Sequence, residues 1–123
     1  MKKYALMLAG LLCLAAGCNK GDDEDTFTLR VTPRHHGRAI DSCTVYLKRD
    51  AVNAPANGIY DDSAKCVPVD GVPVATFSGL KEGNHYIYGL GWDPQLTPPQ
   101  PVQGGFAVPL TSDQHIDLGV SED

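Results

Sequence analysis

The chain has no apolar run long enough to span a bilayer. Its one extended hydrophobic stretch, residues 5–16, is about 12 residues long, whereas a spanning helix needs about 20. Basic residues are scarce, ten Lys and Arg against fifteen Asp and Glu, and they form no cluster. An acidic chain without a basic patch excludes nucleic acid as a partner, because the phosphates would repel it. Catalytic signatures are missing too: there is no Gly-x-Ser-x-Gly, no His-Glu-x-x-His and no glycine-rich phosphate loop. Beyond residue 18 no segment repeats its apolar residues at helical spacing, so helix is excluded as the main building element. Tryptophan occurs once and cysteine four times, and the places of those cysteines carry information.

Lys2 and Lys3 head the apolar run, which closes with Leu14, Ala15, Ala16 and Gly17 directly before Cys18. This order reads as a secretory signal, and it resembles the lipobox of bacterial lipoproteins, with Ala15 where that family usually places Leu. The resemblance implies cleavage after residue 17 and acylation of Cys18, so that residues 1–17 are a removed signal. One acyl chain holds only marginally, and the resemblance implies two or three. Residues 18–25 then form a charged tether, Asn19-Lys20-Gly21-Asp22-Asp23-Glu24-Asp25, with no hydrophobic face. Its acidity resembles the export signal of Bacteroidetes-type surface lipoproteins. The expected address is the outer membrane through a lipid anchor, with the cell surface and the periplasmic face both open. Losing Lys2 and Lys3 makes the formal net charge of −5 two units more negative.

Residues 26–123 suffice for one domain with one core. Apolar residues alternate with polar ones in short runs broken by Gly, Pro, Asn and Asp, which indicates strands. Phe27, Leu29 and Val31 share one face. Cys43, Val45 and Leu47 point inward while Ser42, Thr44, Tyr46 and Lys48 point outward. Further strands are expected over 74–77, 85–90 and 65–69, along Phe106, Val108 and Leu110 (at an edge, given Pro109), and along Ile116, Leu118 and Val120. Turns fall at 36–38, 81–84 and 111–114, and longer connections at 51–64 and 92–105. Six to seven short antiparallel strands predict an all-β, two-sheet sandwich. Cys13 lies inside the signal, so Cys43 and Cys66 are the thiols left in the domain, and two thiols in an exported domain usually pair. Such a bridge would close a loop of about 24 residues and contribute roughly 3 kcal/mol.

Residues 70–93 read DGVPVATFSGLKEGNHYIYGLGWD. The order Gly71, Ala75, Phe77, Leu80, Gly83, Tyr86 resembles the sandwich segment of carboxypeptidase-regulatory-like and transthyretin-like (prealbumin-like) domains, and residues 39–48 resemble their second strand. The resemblance implies that Phe77 and Leu80 plug the core and that Gly83 takes a positive-φ turn. It departs at Pro73-Val74, an apparent insertion, and at His85, where an aromatic residue is common. One transthyretin-like relative is a hydroxyisourate hydrolase, but the Tyr-Arg-Gly-Ser that its chemistry uses is not in this sequence.

No catalytic residue and no cofactor is therefore assigned. His35 and His36 are neighbours on a strand end, so alternation would send them to opposite faces and no metal ligand is assigned; a site would need one of them to meet His85 or His115, with Asp117 or Asp93. Trp92 and Asp93, beside Tyr86 and Tyr88 and next to a proline-rich connection, are the candidate ligand contacts, unless Trp92 folds back as a lid. The expected function is a non-enzymatic, lipid-anchored sandwich for binding or assembly, with an envelope protein or a glycan as partner. A metal-binding envelope lipoprotein and a pilus-like structural subunit are the alternatives.

Overall fold

The structure is a computed structural model that describes residues 25–122; Cys18, the signal segment and the tether up to Glu24 lie outside the described residues. Nine strands and no helix make up those residues: β1 (Phe27–His35), β2 (Arg38–Ala39), β3 (Ser42–Lys48), β4 (Asp62–Lys65), β5 (Val67–Val69), β6 (Val72–Leu80), β7 (Gly83–Asp93), β8 (Gln100–Leu110) and β9 (Gln114–Gly119). Among them no helix is long and apolar enough to cross a membrane.

Two sheets face each other. The first contains β2, β1, β6 and β5, with β9 also paired to β1; the second runs β4-β3-β7-β8. The expected two-sheet, all-β architecture is therefore present, with two differences. The strands number nine because the chain changes sheets at Cys66, which splits the expected 65–69 strand into β4 and β5, and because Arg38–Ala39 adds the short β2. The sheets are also not wholly antiparallel, since β9 returns from β8 across the sandwich and pairs parallel with β1, from Leu29↔Gln114 to Arg34↔Gly119. A parallel pair requires a crossover rather than a hairpin, and the route through β6, β7 and β8 supplies one.

The alternation of β3 follows from its sequence: Cys43, Val45 and Leu47 are buried and their neighbours face out. Leu29, Val31, Phe77, Leu80, Ile87, Val108, Leu110 and Leu118 complete one contiguous core. Burying each such side chain contributes about 1.5–3 kcal/mol. Phe77 and Leu80 sit where the 70–93 segment would place them. The β5–β6 hairpin turns on Asp70 (φ 52°) and Gly71 (φ 82°), the two positive-φ positions of a tight hairpin, and Gly83 enters β7 at φ 138°. Phe106 differs from expectation: it lies on the inward side of β8, opposite Ile87, yet is 42% exposed. β8 is the last strand of its sheet, and its bridge to Ser121 falls at Gln103 rather than beside that ring.

One side of the sandwich is closed. Beyond β9, Ser121 pairs with Gln103 of β8 through two backbone hydrogen bonds, 2.8 and 2.9 Å. Gly89 and Gly104, directly opposite each other on β7 and β8, make room for this. A Cβ at Gly89 would lie 2.7 Å from Leu118, and one at Gly104 would lie 2.3 Å from the Gly119 carbonyl oxygen.

The bridge expected between Cys43 and Cys66 is not formed, and both are free thiols. They nevertheless adjoin, since Cys66 N–H donates to the Cys43 carbonyl at 2.9 Å. The approach of Cys66 and then burial push the Cys43 thiol up, whereas the approach of Cys43 lowers the Cys66 thiol against its own burial. The Cys43 thiol donates to the Thr44 carbonyl at 3.8 Å.

Candidate functional site

The outer face of the second sheet carries a platform of aromatic side chains. Alternation along β7 turns Tyr86, Tyr88, Leu90 and Trp92 outward, and β3 sets Tyr46 directly opposite Tyr88. The long 51–61 connection adds Tyr60. It is held by Ala51 N–H to the Asn84 carbonyl (3.1 Å), Gly58 N–H to the Pro55 carbonyl (3.0 Å) and Asp61 N–H to the Leu47 carbonyl (2.8 Å). Asp61 fastens the connection a second time, accepting from Arg49 N–H at 2.8 Å and from Lys48 Nζ at 3.2 Å. These contacts, the Arg49 amide first, lower the Asp61 carboxyl below its usual range.

The three tyrosines cluster, Tyr60 and Tyr88 stacked and Tyr46 tilted against both. Ring centres lie 5.7 Å apart for Tyr46–Tyr60, 6.4 Å for Tyr46–Tyr88 and 6.2 Å for Tyr60–Tyr88, the last pair within 19° of parallel. All three spacings fall in the range of favourable aromatic pairs. The rings floor an open cleft of about 640 Å³ whose rim is polar, with Asp61, Asp62 and Ser63 on one side. On the other, Tyr88 donates its hydroxyl to Gln103 Oε1. Partial burial raises the Tyr60 and Tyr88 phenols, so both stay neutral donors. Trp92, 45% exposed, continues the same face four residues, or about 13 Å, along β7 from Tyr88.

Of the four contacts expected from sequence, Tyr86, Tyr88 and Trp92 share this face and Asp93 does not. Trp92 lies on a strand rather than on a loop, and it does not close the sandwich. Asp93 is one step further in the alternation, points inward and is fully buried. Tyr46 and Tyr60 were missed: Tyr46 was legible as an outward residue of its strand, but nothing local to Tyr60 shows where its loop folds.

Asp93 belongs to a second, partly buried cluster. It accepts from Arg38 Nη2 (2.8 Å), His35 Nδ1 (2.8 Å) and Gln95 N–H (2.9 Å). The Arg38 guanidinium above all, then His35, holds its carboxyl well below the usual range despite burial. His35, 1% exposed, also donates from Nε2 to Glu122 Oε1 at 2.6 Å. The Asp93 hydrogen bond, aided by Glu122, raises His35 against its burial. The expectation that His35 and His36 diverge is corrected. His36 adopts φ 52° in the turn after β1, which breaks the alternation and brings its ring centre to 4.1 Å from that of His35.

The other histidines are structural. His85 is buried, donating from Nε2 to the Lys81 carbonyl (2.7 Å) and accepting at Nδ1 from Asp50 N–H (3.4 Å). His115 Nε2 is hydrogen-bonded to Thr32 Oγ1 at 2.8 Å. Asp117 pairs with Arg34 at 3.0 Å instead of with a histidine.

Comparison with family models, with curated proteins and with solved structures finds no match to the chain.

Proposed function

We propose that the protein is a non-enzymatic β-sandwich, anchored to the outer membrane by a lipid on Cys18, that binds a glycan on the aromatic face of its second sheet. The observation that carries this reading is the Tyr46–Tyr60–Tyr88 cluster flooring an open cleft with a polar rim. Sugar rings present apolar C–H faces that stack on aromatic rings, and hydroxyls that need carboxylates, amides and phenols at the edge. A cleft of about 640 Å³ is within the usual range for small ligands. The tethered Asp61 preorganises the loop that brings Tyr60, which reduces the ordering cost of binding.

The anchor rests on the order of residues 14–18, and the transthyretin-like reading on the residues of the 70–93 segment. The non-enzymatic reading rests on the catalytic signatures missing from the sequence. A pilus-like role is disfavoured by Pro101 and Pro109 on edge strand β8, which blunt strand addition.

Isothermal titration of the full chain against a panel of envelope and extracellular oligosaccharides tests this function, with Tyr60→Ala and Tyr88→Ala as variants. The reading expects a bound member of the panel whose affinity falls at least tenfold in either variant. It fails if no oligosaccharide binds, or if binding ignores both substitutions. Mass spectrometry of the membrane fraction tests the anchor, which requires an acylated Cys18 as the first residue.

A further inference from the structure

Three ligand-bearing side chains converge at the end of β1 next to the closing bridge. His35 is buried there, while His36 and Glu122 are exposed, and one donor atom of each lies within 4.8 Å of the other two. We propose that His35, His36 and Glu122 form a binding site for a first-row divalent cation of the zinc type, distinct from the aromatic face.

Three features of the cluster carry this beyond mere proximity. Asp93 holds His35 by Nδ1, and is itself anchored by Arg38 and the Gln95 amide. Metal-ligating histidines are commonly held by a carboxylate on the ring nitrogen that does not touch the ion, which fixes the ring and raises its basicity. Nε2 of His35 is thereby aimed at Glu122. The left-handed turn at His36 then supplies a second imidazole on the same side. Finally, the Ser121–Gln103 bridge fixes the backbone immediately before Glu122.

The donor set selects the ion. Two imidazoles and one carboxylate suit zinc and its neighbours and do not suit Mg²⁺ or Ca²⁺, which prefer oxygen. Bonds of about 2.0–2.2 Å around a tetrahedral ion put donors roughly 3.3–3.6 Å apart. From the 4.8 Å bound the widest separation needs to close by at most roughly 1.2–1.5 Å, while the 2.6 Å between His35 Nε2 and Glu122 Oε1 opens by roughly 0.7–1 Å, both through the exposed side chains of His36 and Glu122. On binding, the ion takes the place of the proton on His35 Nε2, which leaves to solvent, and Glu122 moves from proton acceptor to ligand. Three protein ligands leave the fourth position to water.

The test is titration of the full chain with Zn²⁺, and with Co²⁺ as a spectroscopic probe. His36→Ala alters an exposed side chain and should leave the metal-free melt close to wild type, and Glu122→Gln keeps an acceptor for His35 Nε2 while removing the charge, so its metal-free melt is measured as its own baseline. The proposal expects one zinc per chain, a higher melting temperature with zinc, and at least tenfold weaker binding in each variant. The Co²⁺ protein should show weak visible bands without an intense thiolate charge-transfer band. Absence of binding overturns the proposal, as does binding indifferent to both substitutions. A thiolate band that vanishes in Cys43→Ser also overturns it, because the ion then sits on the cysteines. The oligosaccharide titration is read separately, so either result stands without the other.

Discussion

Replacing Gly104 with alanine probes the closure of the sandwich most directly. The new Cβ would lie 2.3 Å from the Gly119 carbonyl oxygen and 3.2 Å from Val120 Cα, roughly 1 Å inside a comfortable non-bonded contact. The obstructing atoms are backbone, so a rotamer change cannot relieve the clash and the segment after β9 must move away. Withdrawal breaks the two hydrogen bonds between Gln103 and Ser121, each worth a net ~0.5–1.5 kcal/mol. It also uncovers part of Val120, now 6% exposed, whose full burial is worth roughly 1.5–3 kcal/mol. Removing a strand glycine returns about 0.5–1 kcal/mol. The balance is a loss of about 2 kcal/mol, or a fall of roughly 8–16 °C in Tm for a domain of this size. Gly119→Ala is the control, since a Cβ there meets nothing within 4 Å and φ is not positive. Thermal unfolding followed by circular dichroism reads both. An unchanged melt for Gly104→Ala, or an equal drop for Gly119→Ala, would refute the packing argument.

Acid should loosen the protein through carboxylates whose folded pKa lies below the unfolded one. Asp61 and Asp93 are both lowered, so their contribution is complete above the unfolded value of about 3.9 and is lost as pH falls through their folded values. Urea titrations at pH 6 and pH 3 should show stability dropping, and Asp61→Asn should shrink the drop. In native protein, iodoacetamide should modify Cys66 ahead of Cys43, because Cys43 is more buried and its thiol is raised; peptide mapping showing the reverse, or a Cys43–Cys66 bridge, would contradict the free-thiol arrangement. Trp92→Ala should cost clearly less than Phe77→Ala, which removes a fully packed ring at about 3–5 kcal/mol, because Trp92 is 45% exposed on the outer face. Equal losses in denaturant titrations would make Trp92 a lid after all.

Legibility varied along the chain for physical reasons. In β3 the two-residue period stated which side chains face the core, and the structure agrees at Cys43, Val45 and Leu47. The same period misled wherever the backbone leaves the extended region. His36 follows β1 in a left-handed conformation, so its ring turns back toward His35. Phe106 obeys the alternation but lies on an edge strand, where pointing inward does not mean being covered. Asp93 was grouped with Trp92 because they are adjacent, although adjacency in a strand separates faces. Glu122 had no local signal at all, since its role depends on β9 returning beside β1 and on Ser121 meeting Gln103.

Local order along the chain was enough for the all-strand character, for the inward rows of the core and for the turn at 81–84 with Gly83 at positive φ, because alternation and positive-φ preference act over two to four residues. The parallel partnership of β1 with β9, the meeting of Tyr60 with Tyr46 and Tyr88, and the gathering of His35, Asp93 and Glu122 were decided only by tertiary structure. Those contacts join residues 14 to 87 positions apart. What brings them together is the burial of the two sheets against each other, a collective effect that no short window of sequence contains.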